Sequence, residues 1–131
     1  VPQADGGCLC GAVSYHVNGE MRPVVACHCG QCRKTSGHFV AATAAANDCL
    51  TIDDPENVLR WYRSSSFAER GFCSRCGSSL FWKAVDGGYT SVMAGSLNGD
   101  TGLRLESHIY TADKGDYYSL EADIPQYPAA P

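Results

Sequence analysis

The chain has 131 residues, 44% hydrophobic and 18% charged, with a formal net charge of −4 and a pI near 5.4, a profile that excludes a disordered or fibrous chain and suits one globular domain over residues 1–131. Its ten Lys and Arg residues are scattered, the longest basic run being Arg33-Lys34, so no nucleic-acid partner is expected, because that would need a concentrated basic face. The longest apolar stretch, residues 39–46, is far short of the roughly 20 residues that span a bilayer. Residues 1–7 lack the basic start and apolar run of a secretory signal, so no membrane role and a cytoplasmic location are the expectations.

In chain order, residues 8–17 alternate apolar and polar side chains in their second half, the period of a half-buried strand, and Asn18-Gly19 marks a turn. A strand is expected at 24–26, and at most a helical turn after Gly30. Residues 38–46 follow, where the alanines favour helix while Phe39, Val40 and Thr43 fit a strand equally well. Further strands are expected at 58–62, 80–83, 89–93 and 103–110, with Glu56-Asn57 in a further helical turn and an irregular tail from 126. Gly/Asp-rich turns at 53–55, 86–88, 98–100 and 113–115 separate them. Many short strands with such punctuation read as a mostly β, antiparallel architecture.

The eight cysteines are the strongest signal. Seven fall into three groups, Cys8-x-Cys10, Cys27-His28-Cys29-Gly30-Gln31-Cys32 and Cys73-Ser74-Arg75-Cys76-Gly77, while Cys49 stands alone and reads as a buried small hydrophobe. A C-x-x-C-G turn converges two sulfurs on one metal, and zinc at a structural site takes four tetrahedral ligands. Cys8 and Cys10 can supply the second pair for Cys73 and Cys76, stapling distant segments together. Cys27, Cys29 and Cys32 place three thiolates within six residues and leave a fourth position open, as at a reactive zinc. His28 lies between two ligands, with its ring expected to point away. His38 and His108 read as structural. Disulfides and a thioredoxin-like redox motif are arithmetically open, but the CHCxxC cluster suits disulfide pairing poorly and no βαβ pattern surrounds it.

Three motifs, 7–13 (GCLCGAV), 27–37 (CHCGQCRKTSG) and 72–80 (FCSRCGSSL), resemble the glutathione-dependent formaldehyde-activating enzyme family, and Gly95-Ser96-Leu97 and residues 108–127 resemble its later strands and tail. The resemblance implies an Mss4-like fold, a β-tent of small antiparallel sheets stapled by zinc. It implies two zinc ions, one structural on Cys8, Cys10, Cys73 and Cys76, the other catalytic on Cys27, Cys29 and Cys32. The implied activity is a carbon–sulfur lyase reaction joining or parting glutathione and formaldehyde through S-hydroxymethylglutathione, with a small thiol such as glutathione as partner. Relatives include the chromatin-associated centromere protein V, a role the acidic charge does not favour.

In such a mechanism a thiolate attacks an aldehyde carbonyl and a neighbouring donor protonates or stabilises the new alkoxide. The loop after Cys32 offers Arg33, Lys34, Thr35, Ser36 and His38, and of these Arg33, Lys34, Ser36 and His38 are the candidate substrate-binding residues. The alternative is a non-catalytic zinc-binding module, in which the second metal only orders a surface.

Overall fold

A computed structural model describes residues 1–130. Strands β1 (Gln3–Gly7), β2 (Ser14–Asn18) and β5 (Leu50–Asp53) form an antiparallel three-stranded sheet in the order β1-β2-β5. The remaining strands are β3 (Val24–Cys27), β4 (Val40–Ala46), β6 (Leu59–Arg63), β7 (Ala68–Cys73), β8 (Ser79–Ala84), β9 (Tyr89–Met93) and β10 (Leu105–Ile109). They form a seven-stranded sheet in the order β10-β3-β4-β9-β8-β7-β6. One α-helix, α1 (Gly30–Ser36), connects β3 to β4. The mostly β expectation holds, with one departure from an all-antiparallel arrangement: β10 pairs with β3 in parallel.

The pleat explains the two faces of the larger sheet. Trp61, Gly71, Phe81, Val92 and Thr43 are register partners across five strands and point one way. This row meets Val13, Tyr15 and Val17 from the smaller sheet, and the two sets close the main hydrophobic core. Tyr15 sits edge-on to Phe81 with ring centroids 5.3 Å apart, while its hydroxyl is satisfied by Ser96 at 2.6 Å. Trp61 and Phe81 stack at 5.8 Å across the intervening β7 strand. Only glycine permits this: a Cβ on Gly71 would lie 3.0 Å from the Trp61 ring and 3.1 Å from that of Phe81. Each such fully buried large side chain contributes about 1.5–3 kcal/mol.

The opposite face carries Val25 and Cys27 on β3, Val40, Ala42 and Ala44 on β4, and Met93 and Ser91 on β9. Trp82 on β8 and Arg70 on β7 continue it. The alanines of the 41–46 segment therefore belong to a strand, and the short side chain of Ala42 forms a shallow floor. Above this face lies a cavity of about 670 Å3.

Three strands were not anticipated. β1 has the sequence QADGG and β5 is only four residues, so neither shows a hydrophobic period. β7 (AERGFC) buries Ala68, Arg70, Gly71 and Cys73, but the Glu, Arg and Gly leave it without a hydrophobic period. Glu56 and Asn57 form a turn rather than a helical turn, with Asn57 at φ 54°. The tail is irregular but placed: His108 N–H donates to Pro125 O and Tyr127 N–H to His108 O, both at 2.9 Å, and Thr111 N–H donates to Tyr127 O at 3.0 Å. No helix of the described residues is long and apolar enough to cross a membrane.

Candidate metal centres and the cavity beside one of them

Local geometry brings seven of the eight cysteines into two groups among the described residues, in each of which the sulfurs lie within 4.8 Å of one another. The first joins Cys8 and Cys10, from the β1–β2 connection, to Cys73 and Cys76, from the end of β7 and the turn into β8. Gly77, at φ 80°, supplies the left-handed residue that lets its N–H reach back to Cys73 O at 2.8 Å. The Leu9 N–H donates to Ser78 Oγ at 3.0 Å, holding the two segments side by side. The sulfurs of Cys8 and Cys10 are 3.6 Å apart and those of Cys10 and Cys73 3.8 Å apart. A tetrahedral zinc with Zn–S bonds near 2.3 Å places its sulfurs about 3.8 Å apart, whereas a disulfide needs about 2.05 Å. All eight cysteines are free thiols, and the spacing fits a four-sulfur metal site. The Ser78 hydroxyl and the N–H groups of Ser78 and Cys10 pull the Cys76 thiol down to about 5, so the group is readily deprotonated, as a ligand must be.

The second group is built on the β3–α1 junction. Cys27 ends β3, Cys29 caps α1 by accepting the Cys32 N–H at 3.4 Å, and Cys32 is buried in the first helical turn. Among the described residues no fourth His, Cys, Asp or Glu joins them. Arg70, only 8% exposed, reaches in from β7 and places both terminal guanidinium nitrogens 3.8 Å from Cys32 Sγ. One of them also approaches Gln31 Oε1 at 3.3 Å. Contacts from the Cys27 and Cys29 thiols and the charge of Arg70 bring Cys32 down to about 6 despite its burial, and the same Cys32 contact drives Cys27 upward. Three converging sulfurs with a buried cation behind them are a donor set suited to a divalent, sulfur-seeking ion.

His28 does not face this group. Fully buried, it shares one ring nitrogen with His108 at 2.9 Å and the other with Tyr118 at 2.6 Å, and His108 in turn meets Glu121 at 3.2 Å. Because the Glu121 carboxylate only accepts, His108 Nε2–H donates to it, and the chain of contacts continues through His28 to the Tyr118 hydroxyl. Burial, with His108 and Lys114 nearby, holds His28 down to about 4. The network pins the tail against the back of the three-cysteine segment.

Of the residues after Cys32, none of Arg33, Lys34, Ser36 and His38 lines the cavity. Helical geometry turns Cys32 inward, and the positions that follow face away from it. Arg33 donates to Asp113 O at 3.1 Å, Lys34 is exposed, Ser36 donates to Cys32 O at 2.7 Å, and His38 pairs with the Tyr117 hydroxyl at 2.6 Å. The cavity takes its charged and polar groups from elsewhere: Arg70, Arg22, Gln31 and Ser91, with Phe67 and Trp82 among its apolar walls. A basic residue in register with buried Ala68 on one strand face would have signalled Arg70, had β7 been read as a strand. Cys49 is half-buried rather than interior, its sulfur 3.6 Å from Asp48 Oδ1.

Residues 3–113 match the model of the glutathione-dependent formaldehyde-activating enzyme family. The chain belongs to that family. The match spans both cysteine groups and both arginines of the cavity. A Schizosaccharomyces pombe protein named as an uncharacterised lyase is 32% identical over 122 residues, covering 92% of this chain and 87% of its own. A Halomonas elongata protein named for glutathione-dependent formaldehyde activation is 33% identical over 84 residues, 59% of this chain and 54% of its own. A crystal structure of a Rhodobacter sphaeroides protein superposes with a TM-score of 0.61 at 26% identity, over 75% of this chain and 91% of its own. Relatives named as a lyase and as a formaldehyde-activating protein support an enzyme, and the two cysteine groups are fit to hold metal.

Proposed function

We propose that this protein is a zinc-dependent enzyme of carbon–sulfur lyase type, forming or cleaving the adduct of a small thiol and an aldehyde, with S-hydroxymethylglutathione as the reference substrate. In this reading residues 1–131 act as one domain. Cys8, Cys10, Cys73 and Cys76 hold a structural zinc, and Cys27, Cys29 and Cys32 a catalytic one. The observation that carries it is the asymmetry of the two groups. Four cysteines make a closed set away from the cavity, whereas three cysteines with no fourth partner among the described residues line the wall of a 670 Å3 cavity.

A zinc ion held by Cys27, Cys29 and Cys32 would lower the pKa of an incoming thiol, so that a thiolate is available near neutral pH. The remaining work falls to the chain. The apolar walls exclude water from the reacting atoms, and the shallow alanine floor leaves room for an adduct beside the cysteines. In the forward direction the sulfur–carbon bond forms as the aldehyde C=O π bond opens, and the thiol proton ends on the new hydroxyl. Cleavage runs the same step backwards. Gln31 and Ser91 stand on the cavity wall as hydrogen-bond partners for that oxygen. Arg70 offsets the thiolate charge beside it, which keeps an anionic reactant from being repelled.

The test is titration of the cobalt-substituted protein with glutathione, where a new sulfur ligand changes the visible spectrum. It is combined with the rate of adduct formation and breakdown measured against the spontaneous reaction. A rate enhancement that disappears in Cys32→Ser supports the enzyme. Equal rates for the two proteins would leave a non-catalytic metal-binding module.

A further inference from the structure

The cavity beside the three cysteines has an unbalanced charge. Two guanidinium groups line it, Arg70 deep on β7 and Arg22 at the rim before β3, and no Asp or Glu does. Neither arginine has a carboxylate partner among the described residues. Arg70 is more than nine-tenths buried, and its Nε is a buried polar atom without a hydrogen-bond partner. A guanidinium in that state is rare in a folded interior, where buried charges are paired.

Charge accounting assigns the two arginines different tasks. Three thiolates and one divalent ion leave a single negative charge, and Arg70, 3.8 Å from Cys32 Sγ, is placed to offset it. Arg22 then has no part in that balance: Glu106 acts on it only from a distance, and no carboxylate among the described residues is in contact with it. It is also held ready: its N–H donates to Ala44 O at 3.0 Å, and its carbonyl accepts the Thr43 hydroxyl. One terminal nitrogen donates to Ala42 O at 3.1 Å. The short Ala42 side chain on the cavity floor lets the guanidinium approach the strand, and its other N–H groups are free for a ligand. A fixed planar fork of donors is the group that best matches a carboxylate.

Among the described residues the lining holds no carboxylate to pair with an ammonium group. Its other large members, Phe67, Trp82, Tyr89, Met93 and Ile109, present apolar or aromatic surface. We propose that Arg22 is the carboxylate anchor of this cavity and that the substrate class is thiol carboxylates, recognised by sulfur at one end and carboxylate at the other. The assignment rests on the sulfur chemistry proposed above for the same site. It places glutathione within a wider class, with one of its carboxylates at Arg22.

The test uses isothermal titration calorimetry on the protein as purified with its own metal, with three probes of similar size: 3-mercaptopropionate, 2-mercaptoethanol and propionate. Cysteamine serves as the cationic control. The expected result is that 3-mercaptopropionate binds at least about tenfold tighter than 2-mercaptoethanol, with cysteamine weakest. In Arg22→Gln that preference collapses while 2-mercaptoethanol binds as before, and Arg22→Lys retains part of it. Equal affinity for 3-mercaptopropionate and 2-mercaptoethanol on the unmodified protein overturns the anchor, as does a preference that survives Arg22→Gln. A preference abolished only by Arg70→Gln would overturn it too, by moving the contact to Arg70. If no thiol binds yet propionate does so in an Arg22-dependent way, the sulfur reading fails and the anchor stands. If thiols bind without regard to carboxylate, the sulfur reading stands and the anchor falls. If neither thiols nor propionate bind, both fall.

Discussion

Arg70 concentrates the electrostatics of the three-cysteine group in one side chain. With two of its nitrogens 3.8 Å from Cys32 Sγ and its stem buried, a charge-assisted contact of this kind is worth about 1.5–3 kcal/mol. Arg70→Met should therefore weaken metal retention at Cys27, Cys29 and Cys32 by roughly tenfold or more, with the four-cysteine site unchanged. Chelator competition followed by elemental analysis checks this, and equal loss from both sites would refute it. Arg75, in the turn between Cys73 and Cys76, plays a lesser part by hydrogen-bonding Glu56 at 2.7 Å across the surface. That bond holds the Glu56 carboxyl below its ordinary range. A carboxylate lowered in the folded state binds fewer protons there than in the unfolded chain. The pair thus stabilises above the ordinary carboxylate pKa, and its contribution fades as pH falls through the lowered value. Because both groups are about half exposed, the effect is small, and Glu56→Gln should remove only a minor acid-side slope from the stability profile.

β7 links the core to the cavity, since its alternate residues serve both: Gly71 under the stacked Trp61 and Phe81 rings, Arg70 toward the cysteines, and Cys73 at its end. Gly71→Ala forces a methyl group against two buried rings and should cost about 1–3 kcal/mol, read as a lower urea midpoint with an unchanged slope. It is also the strand whose pattern was hardest to read. A half-buried strand announces itself by alternating hydrophobicity, and AERGFC places a charge on each face, Arg70 on one and Glu69 on the other, beside Gly71 with no side chain at all. The cysteine groups, by contrast, were legible because metal ligands must recur at short spacings whatever the surrounding structure. Arg33, Lys34, Ser36 and His38 are close to Cys32 in sequence, yet the helix turns the first three away from the cavity and His38, beyond its end, pairs with Tyr117. The cavity cations came instead from residues 22 and 70, which only the sheet register brings near. The alanines of β4 were ambiguous for a related reason: their role is to leave space, and propensity carries no record of it.

If both cysteine groups hold zinc as proposed, metal and fold depend on one another to different degrees at the two sites. The first ties the β1–β2 connection to the β7–β8 turn across more than sixty residues, while the second lies within a six-residue segment. Elemental analysis of protein purified under reducing, chelator-free conditions should give two zinc ions per chain. Graded chelation should remove the one at Cys27, Cys29 and Cys32 first, with circular dichroism little changed, and unfolding should accompany loss of the second. Cys73→Ser should abolish a cooperative melt, because structural zinc contributes on the order of 10 kcal/mol to folding, whereas Cys49→Ser should cost about 1 kcal/mol or less. A melt that survives Cys73→Ser would overturn this division.

The residues beyond 113 lie outside the family match yet form part of the fabric. Tyr118 and Glu121 terminate the histidine relay, and the backbone of 125–127 pairs with the outer side of β10. A polypeptide cut at 113 would strip that cover and present β10 as a bare strand, its unpaired N–H and C=O groups a template for a neighbouring molecule. The same cut would leave His28 and His108 without their outer partners, loosening the wall behind Cys27 and Cys29. The tail thus serves as a guard against intermolecular strand pairing, and a fragment trimmed to the family boundary should self-associate at concentrations where residues 1–131 do not, a difference that light scattering would register.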